Sequence, residues 1–267
     1  MSLTASAAWE PDLWGRVAAG VSVVDARMQA SRNDLAGARL SVQAALVQTY
    51  LALRAAEAQQ DVLRRSAASY QRSLELTQAR HTGGVVALGD VLQAQTQLRT
   101  VQAQLHEANA QRAQLEHAIA VLLGRPPSEF SLVVTARLPD PPTVPALLPS
   151  TLLARRPDIA SAERSVAAAY AQMGVANAAF FPSLSLSASA GFRSQALGGL
   201  TSAPNLLWSL GPSLSAAVFD GGARRAASDQ ARAQADSATA SYRQTVLTAF
   251  QEVEDNLVLL DQLTQEL

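Results

Sequence analysis

Ser183-Leu184-Ser185-Leu186-Ser187-Ala188-Ser189-Ala190-Gly191-Phe192 alternates strictly, with every second residue apolar and every residue between them Ser or Gly. A second run follows, in which Trp208, Leu210, Leu214, Ala216 and Val218 alternate with Ser209, Gly211, Ser213 and Ser215. Side chains on a strand point to opposite faces in turn, so both runs predict strands with one greasy and one small polar face. A membrane barrel strand needs that division, with lipid outside and a wet lumen inside. Yet residues 181–219 lie between Ala- and Gln-rich helical sequence too polar to cross a bilayer.

The helices are marked out by proline. None falls between Pro11 and Pro126 or after Pro212, and eight lie from Pro126 to Pro157. Proline inside a helix costs about 3 kcal/mol, so long helices are confined to the Pro-free spans. A first helix is expected from about Arg16 to Thr82, on the order of 100 Å long at 1.5 Å per residue. Rods of that length belong to coiled coils, stalks or tunnels. Gly83-Gly84 supplies the positive φ that stops it. A second helix starts near Leu88-Gly89-Asp90, with an apolar stripe through Leu92, Leu98, Val101, Leu105 and Ala108 to Leu122. The pair reads as a helical hairpin with a short tip.

Residues 125–156 read as a Pro-rich connector, with Leu132-Val133-Val134 as a short strand inside it. Arg156-Pro157-Asp158 opens a shorter helix, running to about Ala179, that carries Pro where its missing N–H does no harm. After Phe219-Asp220-Gly221-Gly222 a last helix continues to the end. An internal repeat links these parts. Residues 2–14 also alternate, with Leu3, Ala5, Ala7, Trp9 and Leu13 against Ser2, Thr4, Ser6, Glu10 and Asp12, and pass into the first helix. Val47-Gln48-Thr49-Tyr50-Leu51 then resembles Leu247-Thr248-Ala249-Phe250-Gln251. The chain reads as entering one strand–helix–helix repeat and stopping partway through another.

Composition removes most chemistry. All 21 basic residues are Arg, and Lys and Cys are both absent, so P-loop, Schiff-base, thiolate and Cys-ligated metal sites are excluded. A net charge of -1 with dispersed Arg speaks against nucleic acid. His106 and His117 stand about 16 Å apart along one helix, too far for one metal to bridge. Gly83-Gly84 and Gly221-Gly222 lack the spacing and the following Lys of a phosphate loop and read as turns. Arg155-Arg156-Pro157-Asp158 reads either as an anion site at a helix start or as a cap and ion pair. The carboxylates read as solvated charges scattered along helices. No catalytic, metal or cofactor residue is assigned. Trp9, Trp14, Phe192 and Trp208 read as ordinary core or as an interfacial girdle. Met1-Ser2-Leu3-Thr4 does not read as a signal peptide, so an export signal is expected outside these residues.

The order of six short segments resembles the outer-membrane efflux channel family, the TolC-like outer-membrane factors, especially the lipoprotein branch serving RND drug-efflux pumps. They are Trp9–Arg16, Gly84–Ala94, Leu122–Pro127, Leu153–Ile159, Ala179–Leu184 and Ala249–Asp255. The resemblance implies a mainly α fold with a small β part: long helical hairpins of a periplasmic α-barrel, plus strands of a trimeric transmembrane β-barrel. Residues 1–14 and 181–220 would be barrel strands. Residues 15–124, 157–180 and 221–267 would form the helical tunnel, with its hairpin tip at 81–90, and 125–156 the equatorial connector. Each subunit of such a trimer donates four strands, and three are seen here. A leader, a lipid-bearing Cys, a first helix and strand, and the second half of the last hairpin are therefore expected beyond the two ends. The gate is expected beyond Leu267.

The implied function is a passive exit duct in the bacterial outer membrane with a periplasmic extension, not an enzyme. Its expected partners are two further copies, a periplasmic adaptor protein, an inner-membrane pump and outer-membrane lipid. The adaptor would meet Arg80, Gly83, Gly84, Val85, Val86, Leu88, Gly89 and Asp90. Val85, Val86 and Leu88 would act as knobs, and the glycines would allow close approach. Leu184, Leu186, Phe192, Trp208, Leu210 and Leu214 would face lipid. The other readings are a soluble coiled-coil scaffold and a type I secretion duct of the same family.

Overall fold

A computed structural model describes residues 2–135, 139, 155–195 and 202–265. The chain is mainly helical with a small sheet, and it forms two compact units, residues 1–37 with 147–267 and residues 38–146. Strand β1 is Ser2–Trp9 and is followed by helix α1, Arg16–Thr82. Helix α2 is Leu88–Leu122, and α3 is Pro157–Ala178. Strands β2, Ser183–Arg193, and β3, Leu206–Ser215, then lead into helix α4, Ala223–Gln265. Among the described residues no helix is long and apolar enough to cross a membrane.

In the first unit β2 lies between β1 and β3 in one antiparallel sheet. Leu3 pairs with Phe192, Ala5 with Ala190, Ala7 with Ala188 and Trp9 with Leu186. On the other side of β2, Leu184 pairs with Leu214, Ala188 with Leu210 and Ala190 with Trp208. Every pair sets apolar against apolar, so the three greasy faces merge into one surface. Helix α3 packs antiparallel on α4: its end meets α4's start where Ser228 Oγ bonds Asn177 Oδ1 at 2.9 Å. Its beginning meets α4's later turns where Arg156 pairs with Glu252 at 2.7 Å. The same helix lies along the start of α1, where Ser161 Oγ bonds Asp34 Oδ1 at 2.5 Å. Small residues line these seams. Ala168, Ala178, Ala231, Ala235 and Ala249 are buried, and a Cβ on Gly174 would stand 3.4 Å from the Ala19 methyl.

Both strand-to-helix turns are built alike. The Asp12 carboxylate accepts the Val17 and Ala18 N–H groups at 2.9 and 2.8 Å, beside left-handed Gly15. Asp220 accepts the Gly222 and Arg224 N–H groups at 3.0 and 3.1 Å, beside left-handed Gly221 and Gly222. Each Asp supplies the acceptor that the first helical turn lacks. Arg224 Nε also donates to the Asp220 carboxylate at 2.6 Å. Trp14 stacks on Phe181 with centroids 4.8 Å apart, and its Nε1 donates to the Pro182 carbonyl at 2.7 Å. Trp14 therefore ties the end of β1 to the start of β2.

In the second unit α1 and α2 pack around Leu74, Val91, Leu98 and Val101, with Leu63, Ala67, Tyr70 and Ala94 against them. Leu92, placed on the apolar stripe by its spacing, is 54% exposed, and its neighbour Val91 takes the buried position. A stripe one residue wide cannot be phased from spacing when both neighbours are apolar. Leu132-Val133-Val134 has no regular secondary structure and belongs to no sheet. The strand expected there is a strap, and charged side chains hold it. The remainder of the expected connector, except Pro139, lies outside the described residues up to residue 154.

Candidate functional site

Three features stand out: the hairpin tip, the sheet and a buried charge cluster. At the tip, α1 ends on a double bond pattern. The Val85 N–H donates to the Arg80 carbonyl and the Gly84 N–H to the His81 carbonyl, both at 2.9 Å, around Gly84 at φ +75°. This is the Schellman ending, in which a left-handed residue satisfies carbonyls the helix leaves open. His81 Nδ1 donates to the Val86 carbonyl at 2.9 Å. The Asp90 carboxylate accepts the Ala87 N–H at 3.2 Å and starts α2. Main-chain bonds, with the His81 and Asp90 side chains, thus fix the turn while Val85 and Leu88 stay out. Arg80, Gly83, Gly84, Val85, Leu88, Gly89 and Asp90 are exposed and Val86 is half-buried; Val85 reaches 74% exposure.

Gly84→Ala places a Cβ in the left-handed region at a cost of roughly 1 kcal/mol. The Val85 amide should then exchange its hydrogen about fivefold faster, with the rest of α1 unchanged.

The sheet gathers all six residues assigned to lipid onto one face. Leu184, Leu186 and Phe192 of β2 are half-buried among their neighbours, while Trp208, Leu210 and Leu214 of β3 are 71–74% exposed. The opposite face carries Ser183, Ser185, Ser187, Ser189 and Gly191 beside Ser209, Gly211, Ser213 and Ser215. Ser189 and Ser209 bond across it at 2.8 Å. Leu207 and Ala8 are the exceptions, apolar residues on the hydroxyl face opposite Gly191 and Ser187.

The charge cluster overturns the reading of all carboxylates as solvated. Glu57 is 1% exposed. Its Oε2 accepts Arg54 Nη1 at 2.6 Å and the Thr135 N–H at 3.0 Å, and its Oε1 accepts Arg112 Nε at 3.0 Å. Arg112 also pairs with Glu116 at 2.8 Å and donates to the Leu132 carbonyl at 2.9 Å. Glu116 in turn accepts the Leu132 N–H at 2.6 Å, and Arg54 reaches the Val133 carbonyl at 3.0 Å. Beside them Gln60, also 1% exposed, donates to the Ala108 carbonyl at 2.9 Å. Burial pushes the Glu57 carboxyl up, but the Thr135 N–H and the two guanidinium groups outweigh it and hold it below the usual range. Glu116 is lowered in the same way, burial being overcome by the Leu132 N–H and Arg112. The cluster is closed and paired, and it fastens the strap. Arg54 and Glu57 three residues apart on one helix were the visible signal. Their burial depends on partners far along the chain.

At the start of α3, Arg156 bonds Asp158 at 3.1 and 2.7 Å as well as Glu252. Of the two readings of Arg155-Arg156-Pro157-Asp158, the structure gives the ion pair.

These features belong together in one known architecture. The chain is a member of the family described as outer membrane efflux protein, which it matches over residues 1–125 and 148–267. The solvent efflux pump outer membrane protein SrpC of Pseudomonas putida is 36% identical over 255 residues, 94% of this chain and 53% of that protein. The outer membrane protein OprJ of Pseudomonas aeruginosa is 35% identical over 268 residues, 97% of this chain and 54% of that protein. Among solved structures the outer-membrane channel OprN has a TM-score of 0.91 at 36% identity, covering 98% of this chain and 59% of its own. The outer membrane protein VceC of Vibrio cholerae has a TM-score of 0.88 at 26% identity, covering 99% and 63%. The chain spans about half the length of the curated relatives it matches.

Proposed function

We propose that this chain forms part of a trimeric outer-membrane exit duct of a tripartite efflux system, a passive conduit for small molecules without active-site chemistry. The observation that carries this reading is the sheet. Its greasy face has no covering element among the described residues, and its other face bears only small hydroxylated residues, glycines, Ala8 and Leu207 inward of its outer end. A lipid-facing and a lumen-facing surface require that pair of faces. Free sheet edges are not tolerated in a bilayer, so the sheet is completed by further strands, contributed by two other copies and by the rest of the protein. Val21 and Val24, 63% and 66% exposed at the start of α1, favour additional helices around the same unit.

Residues 1–14 and 181–220 then serve the barrel, 15–124, 157–180 and 221–267 the periplasmic tunnel, and 125–156 its equatorial belt. The tip from Arg80 to Asp90 meets the periplasmic adaptor, through which the inner-membrane pump delivers its cargo. Val85 and Leu88 supply apolar contact, and the glycines keep the tip narrow.

Fractionation of cells expressing the full-length protein should find it enriched in the outer membrane; recovery from the cytosol without detergent would return the coiled-coil scaffold reading. These 267 residues contain no Cys, so Val85→Cys gives a clean crosslinking site. It should crosslink to the adaptor in a pumping strain, whereas Val133→Cys on the strap should not. Equal capture at both positions would remove the adaptor assignment.

A further inference from the structure

Between Arg164 and Asp220 the sequence has one charged residue, Arg193. It ends β2, directly opposite Ser2 of β1, and shares a face with Ser183, Ser185, Ser187, Ser189 and Gly191. Its side chain is exposed and has no ion-pair partner among the described residues. The sequence from 165 to 219 holds no Asp, Glu or His that might neutralise it. The three strands therefore carry a single charge, on the hydroxyl face and at one end.

Which end is fixed by the connections. β1 leaves for α1, α3 enters β2 and β3 leaves for α4, and in an antiparallel sheet all three joins fall at the same end. Arg193 sits at the other. On the duct reading proposed above, on which this inference rests, the helical end is periplasmic and the hydroxyl face lines the lumen. Arg193 then stands at the outer mouth, once per subunit.

We propose that Arg193 makes the outer mouth a cationic ring that favours anionic solutes over cationic ones. An Arg never deprotonates in a protein, so the ring is charged at every working pH. Its reach is set by screening, about 10 Å at 0.1 M salt and about 30 Å at 0.01 M. The remaining residues on this face of the three strands, hydroxyls, glycines, Ala8 and Leu207, carry no charge to oppose it. Discrimination by charge along these three strands is thus the work of one residue at one level, and it acts on solutes at the exit.

The local potential can be read by the rates at which single cysteines react with methanethiosulfonates of opposite charge. The anionic sulfonatoethyl and cationic trimethylammonioethyl reagents would be applied to the full-length protein in the outer membrane. Ser2→Cys probes the mouth, Ser183→Cys the far end of the same face, and Leu210→Cys the apolar face. At about 10 mM salt, Arg193→Gln should lower the anionic-to-cationic rate ratio at Ser2→Cys by roughly fivefold. Ser183→Cys, on the order of 33 Å along the strand at 3.3 Å per residue, should respond much less at that salt and not at all at about 0.1 M. Arg193→Lys should restore the ratio, and about 1 M salt should abolish the difference. An unchanged ratio at Ser2→Cys, with Leu210→Cys protected by lipid, overturns the ring and leaves the duct standing. Free reaction at Leu210→Cys overturns the duct reading, and the ring with it.

Discussion

Replacing Glu57 by Gln or Ala is expected to destabilise the 38–146 unit by about 3–5 kcal/mol, the usual cost of removing one partner from a buried ion pair. Glu57 is 1% exposed and stands between Arg54 and Arg112. Without its charge buried Arg54 loses its carboxylate partner, half-buried Arg112 keeps only Glu116, and the Thr135 N–H loses its acceptor. Gln is not a benign substitute, because its amide turns an N–H donor toward donors. The denaturation midpoint should fall, and the Leu132 and Thr135 amides should exchange their hydrogens faster. Val133→Ser is the control: Val133 is 83% exposed and only its carbonyl is engaged, so neither quantity should move. The effect has a pH signature. Glu57 and Glu116 both have folded pKa values below the ordinary range. Their contribution is therefore complete above the unfolded value of about 4.3 and is lost as pH falls through the folded values. The wild-type protein should weaken below about pH 4, and Glu57→Gln should flatten that slope. A mutant with unchanged stability and an unchanged slope would show that the cluster contributes nothing net.

Gly191→Val is expected to abolish the folded, membrane-inserted form altogether. Gly191 lies opposite Thr4, and a Cβ built on it would stand 2.3 Å from the Leu3 carbonyl oxygen and 2.8 Å from the Thr4 Cα. Those are main-chain atoms of the neighbouring strand and cannot swing away. β1 would have to separate from β2, giving up the ladder from Ser2–Arg193 to Trp9–Leu186. In a bilayer each backbone group left open costs several kcal/mol, so partial pairing is not a stable outcome. Gly191→Ala should already reduce the yield of protease-resistant protein in the outer membrane. Gly211→Ala should be tolerated, since a Cβ there meets nothing within 4 Å. Both glycines occupy the hydroxyl face, so equal sensitivity at the two sites would point away from strand separation as the cause.

The parts of this fold that repeat locally are legible in the sequence. Alternation over Ser183–Arg193 and Leu206–Ser215 declares strands and their faces, because the period of two holds within a single element. The ends of α1 and α2 are declared by Gly84 and Gly124, both left-handed. The tip is legible as a turn for the same reason. The Glu57 cluster is not. Arg54 and Glu57 look like any surface pair at three-residue spacing, and what buries them is Arg112 across the hairpin and the main chain at 132–135. Neither partner follows from the period of α1. The strap was hidden by the same blindness, since three apolar residues in a row suggest a strand whether or not a neighbouring strand exists. Gly191 looks like one more small residue among serines until the register with Thr4 is known. Arg193 could be seen in the sequence, but its place on the hydroxyl face, at the end away from the helices, depends on the pairing.

The strap is hydrogen-bonded through its main chain: Leu132 through its N–H and carbonyl, Val133 through its carbonyl and Thr135 through its N–H. A grip of that kind is indifferent to spelling. The four charged side chains dictate where the polypeptide runs, while the residues it passes through at 133 and 134 are left open to rewriting. That makes this short stretch a natural place to write an epitope or a reporter peptide into the protein, displayed outward on a backbone whose course is already set.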